Sequence, residues 1–243
     1  MTVYLVGAGP GDPGLITVKG AGLLARADVV VHDRLVGPDV LSLAPGGCEL
    51  ISAAKEPRRP TMTQEEINDL LVERGRRGQC VVRLKGGDPC IFARGGEEAA
   101  ALAAAGIDFE IVPGITSAIA APAYAGIPVT LRHEALSVTF VTGHEDPLSG
   151  QTVDWDAIAA TNGTIVVLMG AGRARQIADR LEAAGLTRHT PAAWVHWGTY
   201  DHQEVWRGSL ADLGREPIPS PAVLVIGSVA AVDVSWFAGL AGG

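Results

Sequence analysis

VVRLKGGDPCIFARGGEE, residues 81–98, decides how the rest of the chain reads. Val81 and Val82 open a short apolar run of the kind that forms a buried strand, and Arg83 and Lys85 set two positive charges within it. Gly86-Gly87-Asp88-Pro89 then ends the run. The glycines admit torsions and close approaches that other residues forbid, and Pro89 fixes the direction of exit. Ile91, Phe92 and a segment rich in Glu and Ala follow, so the order is strand, turn, helix. In open α/β sheets ligands sit outside the carboxyl ends of strands, which makes such a turn a candidate crevice. By itself GGDP reads equally well as a tight turn capped by Asp. The surrounding chain has to separate the two.

Working outward, residues 3–6 form a short apolar strand, 17–27 carry apolar residues at helical spacing, and 28–31 and 49–52 are further strands. Thr63-Gln64-Glu65-Glu66 is a capping box that opens a helix to about Arg77. Beyond the central stretch, a helix over 95–105 stops at Gly106, and 109–112 is a strand. Strands alternating with helices imply a largely parallel, helix-covered sheet. Pro113-Gly114-Ile115-Thr116-Ser117 leads into a small-residue helix over 118–124, which Gly126 and Pro128 break. The domain junction is placed here, giving an N-terminal α/β domain, 1–115, and a C-terminal α/β domain, 116–243. In the second domain strands are expected at 137–142, 164–169, 192–197, 204–208 and 222–226, with a helix over 173–184, forming a mixed sheet.

Composition narrows the function classes. The chain has 243 residues, 47% hydrophobic and 19% charged, as in an ordinary globular protein. No apolar run reaches membrane-spanning length, and the N-terminus reads as a first strand rather than a signal peptide. Cys48, Cys80 and Cys90 are odd in number and widely spaced, which fits neither a disulfide framework nor a zinc site and points to a reducing cytoplasm. A net charge of −8 argues against nucleic acid as the main partner. Even so, Arg58, Arg59, Arg83, Lys85 and Arg94 lie beside glycine-rich turns, with Lys19 and Arg34 farther back. An acidic protein that keeps arginines near such loops suits a small polyanion; each arginine alone also suits a solvated surface.

Other residues carry chemistry in more than one reading. Gly9, Gly11 and Gly14 satisfy GxGxxG after a strand, with Asp28 and Asp33 about twenty residues on, as in dinucleotide-binding folds. Pro10 and Pro13 count against an NAD-dependent oxidoreductase, because they remove two N–H donors that would cradle a pyrophosphate. Asp33-Arg34, at the end of the second strand, is either a surface ion pair or a carboxylate held for proton transfer. The scattered histidines lack the spacing of a metal site, and the five tryptophans read as packing.

Taken together these segments resemble the tetrapyrrole (corrin/porphyrin) methylases. The carrying stretches are VYLVGAGPGDPGLIT (3–17), ADVVVHDRLV (27–36), QEEIN (64–68), VVRLKGGDPCIFARGGEE (81–98), IVPGITSAIAAPAYAGIPVT (111–130), SVTFVTGH (137–144), LMG (168–170) and WGT (197–199). They span nearly the whole chain in order. The resemblance implies two α/β domains with a ligand cleft between them, a cytoplasmic homodimer, and S-adenosyl-L-methionine (SAM) as methyl donor, with S-adenosyl-L-homocysteine as product. It implies C-methylation of uroporphyrinogen III at ring positions 2 and 7, giving precorrin-2 for sirohaem or cobalamin biosynthesis. No extension precedes residue 3, so added dehydrogenase and ferrochelatase activities are not expected.

By matching motif positions, the cofactor contacts are Pro10, Gly86, Gly87, Asp88, Ile91, Thr116, Ser117, Met169 and Gly198. Asp33 is the implied proton acceptor and Lys55 the implied proton donor. Substrate candidates are Gly9, Gly11, Lys19, Arg34, Arg58, Arg59, Arg83, Arg94 and Arg132, the basic ones suited to the substrate's carboxylate fringe. Pro60, Cys90, Ala93, Leu131, Leu168 and His196-Trp197 depart from the family pattern. Another precorrin methyltransferase and a non-catalytic SAM-binding module are the alternatives within the fold.

Overall fold

The computed structural model describes residues 2–54, 62–144 and 152–237, and the chain divides into two compact units, Met1–Thr116 and Ser117–Gly243. Among the described residues no helix is long and apolar enough to cross a membrane.

Unit one runs β1 (Val3–Gly7), α1 (Val18–Leu24), β2 (Val29–His32), α2 (Pro38–Leu41), β3 (Glu49–Ser52), α3 (Gln64–Arg76), β4 (Val81–Lys85), α4 (Gly95–Ala104) and β5 (Phe109–Val112). Its strands lie in the order β3-β2-β4-β1-β5, and every pairing is parallel. Side chains alternate between faces along each strand. Val6, Val30, Val82 and Leu84 pack against α1 and α2, whereas Val3, Leu5, Val29, Val31 and Val81 pack against Ile67 and Leu71 of α3 and Ala99 and Leu102 of α4. The chain leaves β1 for one side of the sheet and β4 for the other. The carboxyl ends of these neighbouring strands are therefore the topological switch point, where a crevice opens in folds of this kind. The capping box forms as expected: Thr63 Oγ1 accepts from Glu66 N (3.2 Å), and the Glu66 carboxylate accepts from Thr63 N (2.6 Å).

Unit two contains α5 (Ser117–Tyr124), β6 (Val138–Thr142), α6 (Trp155–Ala160), β7 (Thr164–Leu168), α7 (Ala174–Ala183), β8 (Pro191–His196), β9 (Glu204–Ser209) and β10 (Ala222–Ile226). The sheet order is β6-β7-β10-β8-β9, with β6 parallel to β7 and the other pairings antiparallel: the mixed sheet expected from sequence. Ala118 and Ala121 of α5 pack on Val166, Val195 and Val225 on one face; Trp155 of α6 and Ile177 and Leu181 of α7 pack on Ile165, Val167 and Leu224 on the other.

Two strands end one residue earlier than the apolar pattern suggests. Met169 has φ 56° and Trp197 φ 44°, left-handed torsions that no strand can continue through. Helices α2 and α6 were not anticipated. Each is a short turn of four to six residues with too little periodicity to register.

Candidate functional site

At the switch point of unit one the loops after β1, β4 and β5 meet, joined by backbone contacts and by the side chain of Asp88. Ala8 N donates to Lys85 O (2.8 Å), Gly9 N to Gly87 O (3.2 Å) and Gly87 N to Gly9 O (2.7 Å), which ties the loop after β1 to the turn after β4. Gly87 makes this bridge with φ 66°, a torsion that costs glycine nothing. A Cβ on Gly114, after β5, would lie 2.3 Å from Gly87 O and 2.7 Å from Gly7 Cα. Only glycine allows that approach. Asp88 locks the same junction, its carboxylate accepting from Cys90 N (2.7 Å) and Gly114 N (3.0 Å). The expected cofactor turn Gly86-Gly87-Asp88 is thus a preformed rigid element. Beside it Ile91 and Phe92 stay 36% and 43% exposed, with Phe92 at φ 50°. Apolar side chains left open next to a strained turn are the ordinary lining of a ligand site.

Four N–H groups of the glycine-rich loop after β1 are engaged within unit one. Besides the bonds of Ala8 and Gly9, Gly14 N donates to Asp12 Oδ1 (2.7 Å) and Leu15 N to Asp12 O (3.0 Å). With Pro10 and Pro13 lacking N–H groups, and α1 starting only at Val18, the donor cradle a pyrophosphate needs is not built. The geometry counts against the NAD reading.

Around the end of β2 and along β4 lies a buried charge cluster. Arg83 and Lys85 are each 2% exposed and Glu98 is fully buried. Positions 83 and 85 share the sheet face that Val81 presents to α4, so both cations point at that helix. Glu98 Oε1 accepts from Arg83 Nε (3.0 Å), Lys85 Nζ (2.8 Å) and Gln64 Nε2 (3.4 Å). Arg83 also donates from Nη1 to Val31 O (3.3 Å) and from Nη2 to Asp33 Oδ1. Two cations meet two carboxylates, so the cluster is formally neutral. Burial, reinforced by the Arg83 charge and opposed by Glu98 and Asp33, pushes the Lys85 ammonium below its ordinary range.

The sequence-derived residues separate clearly. Asp33 is half-buried at the carboxyl end of β2 and held by Arg83. Gly9, Gly11, Pro10 and the exposed Arg34 belong to the loops after β1 and β2, and Thr116 is buried at the end of unit one. Arg83 departs from expectation: its three guanidinium nitrogens all donate within unit one, so it is a buried ion-pair partner rather than a cation on an open face. Lys19 is exposed and pairs with Glu110; Arg94 is exposed and pairs with Glu97 (2.7 Å). Lys55, Arg58, Arg59 and Pro60 lie outside the described residues.

In unit two the expected cofactor residues Met169 and Gly198 stand at the carboxyl ends of β7 and β8, on the same edge of the sheet, while Ser117 opens α5. Met169 is 54% exposed in its left-handed torsion. The loops after β6 and β7 touch by backbone, since a Cβ on Gly143 would lie 2.4 Å from Gly170 Cα. Trp197 and Thr199, at φ 44° and 76°, flank Gly198, whose Cβ would fall 2.4 Å from that of Ala121 in α5. Thr199 is a β-branched residue in a genuinely unfavourable torsion. Such strain collects at functional sites. Within unit two, exposed Met169 and these strained loops share the edge at the carboxyl ends of β7 and β8. Arg132 is exposed in the turn that Leu131 and Ala135 close.

Sequence reasoning assigned no role to Glu98 or Gly114, and grouped Lys85 with the cations that suit a polyanion. The signal for Glu98 was present: two cations on one face of a central buried strand require carboxylates opposite, and Glu98 shares its helix face with Leu102, four residues on.

The Tetrapyrrole (Corrin/Porphyrin) Methylases family matches residues 2–214. Over 232 residues the chain is 48% identical to the S-adenosyl-L-methionine-dependent uroporphyrinogen III methyltransferase of Methanosarcina barkeri, covering 93% of this chain and 91% of that one. It is similar to the solved uroporphyrin-III C-methyltransferase of Thermus thermophilus in complex with S-adenosyl homocysteine (TM-score 0.82, 39% identity, 94% and 98% covered). It is also similar to a cobalt precorrin-4 methyltransferase structure (TM-score 0.85, 30% identity, 94% and 95% covered). With a family match over most of its length and relatives at this identity, the chain belongs to the tetrapyrrole (corrin/porphyrin) methylases.

Proposed function

We propose that this chain is a SAM-dependent C-methyltransferase acting on uroporphyrinogen III at ring positions 2 and 7, yielding precorrin-2 for sirohaem or cobalamin biosynthesis. The observation that carries the reading is its 48% identity, over 93% of the chain, to the Methanosarcina barkeri methyltransferase, together with the DRLV and GGDP segments on which the family resemblance rests. The cobalt precorrin-4 methyltransferase matches as well in backbone but at lower identity, 30% against 39%, so identity rather than backbone likeness favours this substrate.

SAM, when bound, supplies a methyl group already activated on a sulfonium. The chain's own task is therefore to hold, orient and move protons. In unit one Pro10, the Gly86-Gly87-Asp88 turn, Ile91 and Thr116 would hold the cofactor; in unit two Ser117, Met169 and Gly198 would do so. Attack by a pyrrole carbon leaves positive charge on the ring, and the Asp33 carboxylate would stabilise that charge and accept the released proton. Lys55 would act as proton donor. Arg34, Arg94 and Arg132 are exposed and would meet substrate carboxylates, as would Lys19, Arg58 and Arg59. Gly9 and Gly11 would let the backbone approach the macrocycle. By the same resemblance the enzyme would work as a cytoplasmic homodimer.

The test is anaerobic incubation of the purified protein with SAM and enzymatically generated uroporphyrinogen III, followed by absorbance and mass. Gain of two methyl groups, lost in Asp33→Asn, is the expected outcome. SAM binding without methylation of this ring, but with methylation of a later precorrin, would replace the substrate assignment.

A further inference from the structure

The cluster on β4 contains more charge than a fold of this kind needs. Replacing a buried ion cluster with well-packed apolar residues is often neutral or stabilising, so stability alone does not account for Arg83, Lys85 and Glu98. Their geometry is directional. Glu98 is fully buried, and its Oε1 gathers Arg83 Nε, Lys85 Nζ and Gln64 Nε2. Arg83 continues the chain of contacts: Nη1 reaches Val31 O, in the strand that delivers Asp33, and Nη2 reaches Asp33 Oδ1 itself. A guanidinium is planar and rigid, so fixing Nε and Nη1 also fixes the direction of Nη2. Lysine at 83 would keep the charge and lose the fork.

We infer that Glu98 and Arg83 are positioning residues for Asp33, Glu98 acting only through the Arg83 guanidinium to hold the carboxylate at one orientation at the end of β2. This rests on the reading of Asp33 as proton acceptor. It also accounts for an arginine buried beside a substrate site: Arg83 serves the protein's own carboxylate, not the substrate's. A purely structural cluster would give a different result, because its loss would affect SAM binding and turnover alike, whatever residue stood at 33.

Glu98→Gln keeps the shape and removes the charge; Arg83→Lys keeps the charge and removes the fork. Both are compared with wild type, with Asp33→Asn, and with the double variants, by kcat, by KM for SAM and by crystal structure. Misplacing a reacting group by about 1 Å costs about 100-fold in rate, which sets the expected fall in kcat for each single variant, with KM for SAM within about twofold. In the Asp33→Asn background neither substitution lowers kcat further, since the group they orient is gone. The crystal structure of Glu98→Gln shows Arg83 Nη2 withdrawn from Asp33. Losses that multiply in the double variants, or a Glu98→Gln structure with the Arg83–Asp33 contact intact, overturn the inference. If wild type transfers no methyl group to uroporphyrinogen III, the substrate reading falls and the crystal structures alone decide the positioning. If Glu98→Gln does not fold, Arg83→Lys carries the kinetic measurement, and its crystal structure shows the Asp33 carboxylate turned from its wild-type orientation; an unmoved carboxylate there overturns the inference.

Discussion

Gly114→Ala tests whether the three-loop junction of unit one is the scaffold of the site. The added Cβ would lie 2.3 Å from Gly87 O, 2.7 Å from Gly7 Cα and 2.9 Å from Gly7 C. Carbon–oxygen contacts settle at about 3.3 Å or beyond, so the overlap with Gly87 O is about 1 Å. All three obstacles are backbone atoms at the ends of β1 and β4, and no rotamer change relieves them. Overpacking of this kind costs about 1–3 kcal/mol, and a backbone-only clash belongs at the upper end. For a chain of this size about 3 kcal/mol corresponds to a transition midpoint lowered by about 6–12 °C. The same shift moves the Gly86-Gly87-Asp88 turn by about 1 Å, enough to lower methyl transfer about 100-fold. Gly114 does not occupy a left-handed torsion, so the experiment reads space and not backbone strain. Thermal unfolding, SAM titration calorimetry and the methylation assay together report the outcome. A Gly114→Ala protein with wild-type midpoint and wild-type SAM affinity would refute the argument that these loops are locked by backbone contact.

Three further outcomes follow from single elements. Gly22→Ala, in α1 with nothing within 4 Å of the new Cβ, should stabilise by about 0.5–1 kcal/mol, read as a raised denaturant midpoint at unchanged slope. Thr63→Ala removes one half of the capping box on α3 and should cost about 1 kcal/mol, with Thr63→Ser restoring most of it in the same assay. The Lys85 ammonium titrates below its ordinary 10.5 in the folded protein, so between the lowered folded value and 10.5 the unfolded chain binds more protons. Wild type should therefore gain stability relative to Lys85→Met as pH rises through that window. Denaturation midpoints that fall together in both proteins would contradict the shift.

Much of this architecture was legible because its elements are bounded by strong local signals. The strands 49–52, 109–112 and 222–226 match at both ends; Pro113-Gly114 closes the second, and Pro221 and Gly227 bound the third. What escaped was set by tertiary contact. Nothing local in Leu168-Met169-Gly170 or His196-Trp197-Gly198 announces a left-handed torsion on Met or Trp, so both strands were drawn one residue too long. Gly114 looked like an ordinary loop glycine; its obligation arises from Gly7 and Gly87, both distant in sequence. In GGEE nothing local distinguishes the two glutamates, yet helix phase buries Glu98 and leaves Glu97 to an exposed pair with Arg94. Arg83 stood among the substrate candidates, while in the structure its guanidinium donates to Glu98, Val31 O and Asp33; sequence alone cannot tell whether a cation near a polyanion site faces the ligand or the protein.

That distinction bears on why β4 is charged at all. Among the described residues, β4 is a central strand of unit one, and all five of its residues are buried. An apolar residue at 83 would suit such a strand better, because stripping water from a charge costs several kcal/mol that pairing only partly returns. Once Arg83 is present, however, removing one partner strands a charge in the interior, at a cost of about 3–5 kcal/mol. The cluster is thus stable only when complete, and it is complete only with Asp33 in place. The sheet's interior and the orientation of one half-buried carboxylate at its edge become a single condition. A turn on the surface could hold Asp33 loosely at little cost; tied through Arg83 to the buried Glu98, its carboxylate is held in one direction, which is what the proposed role as proton acceptor requires.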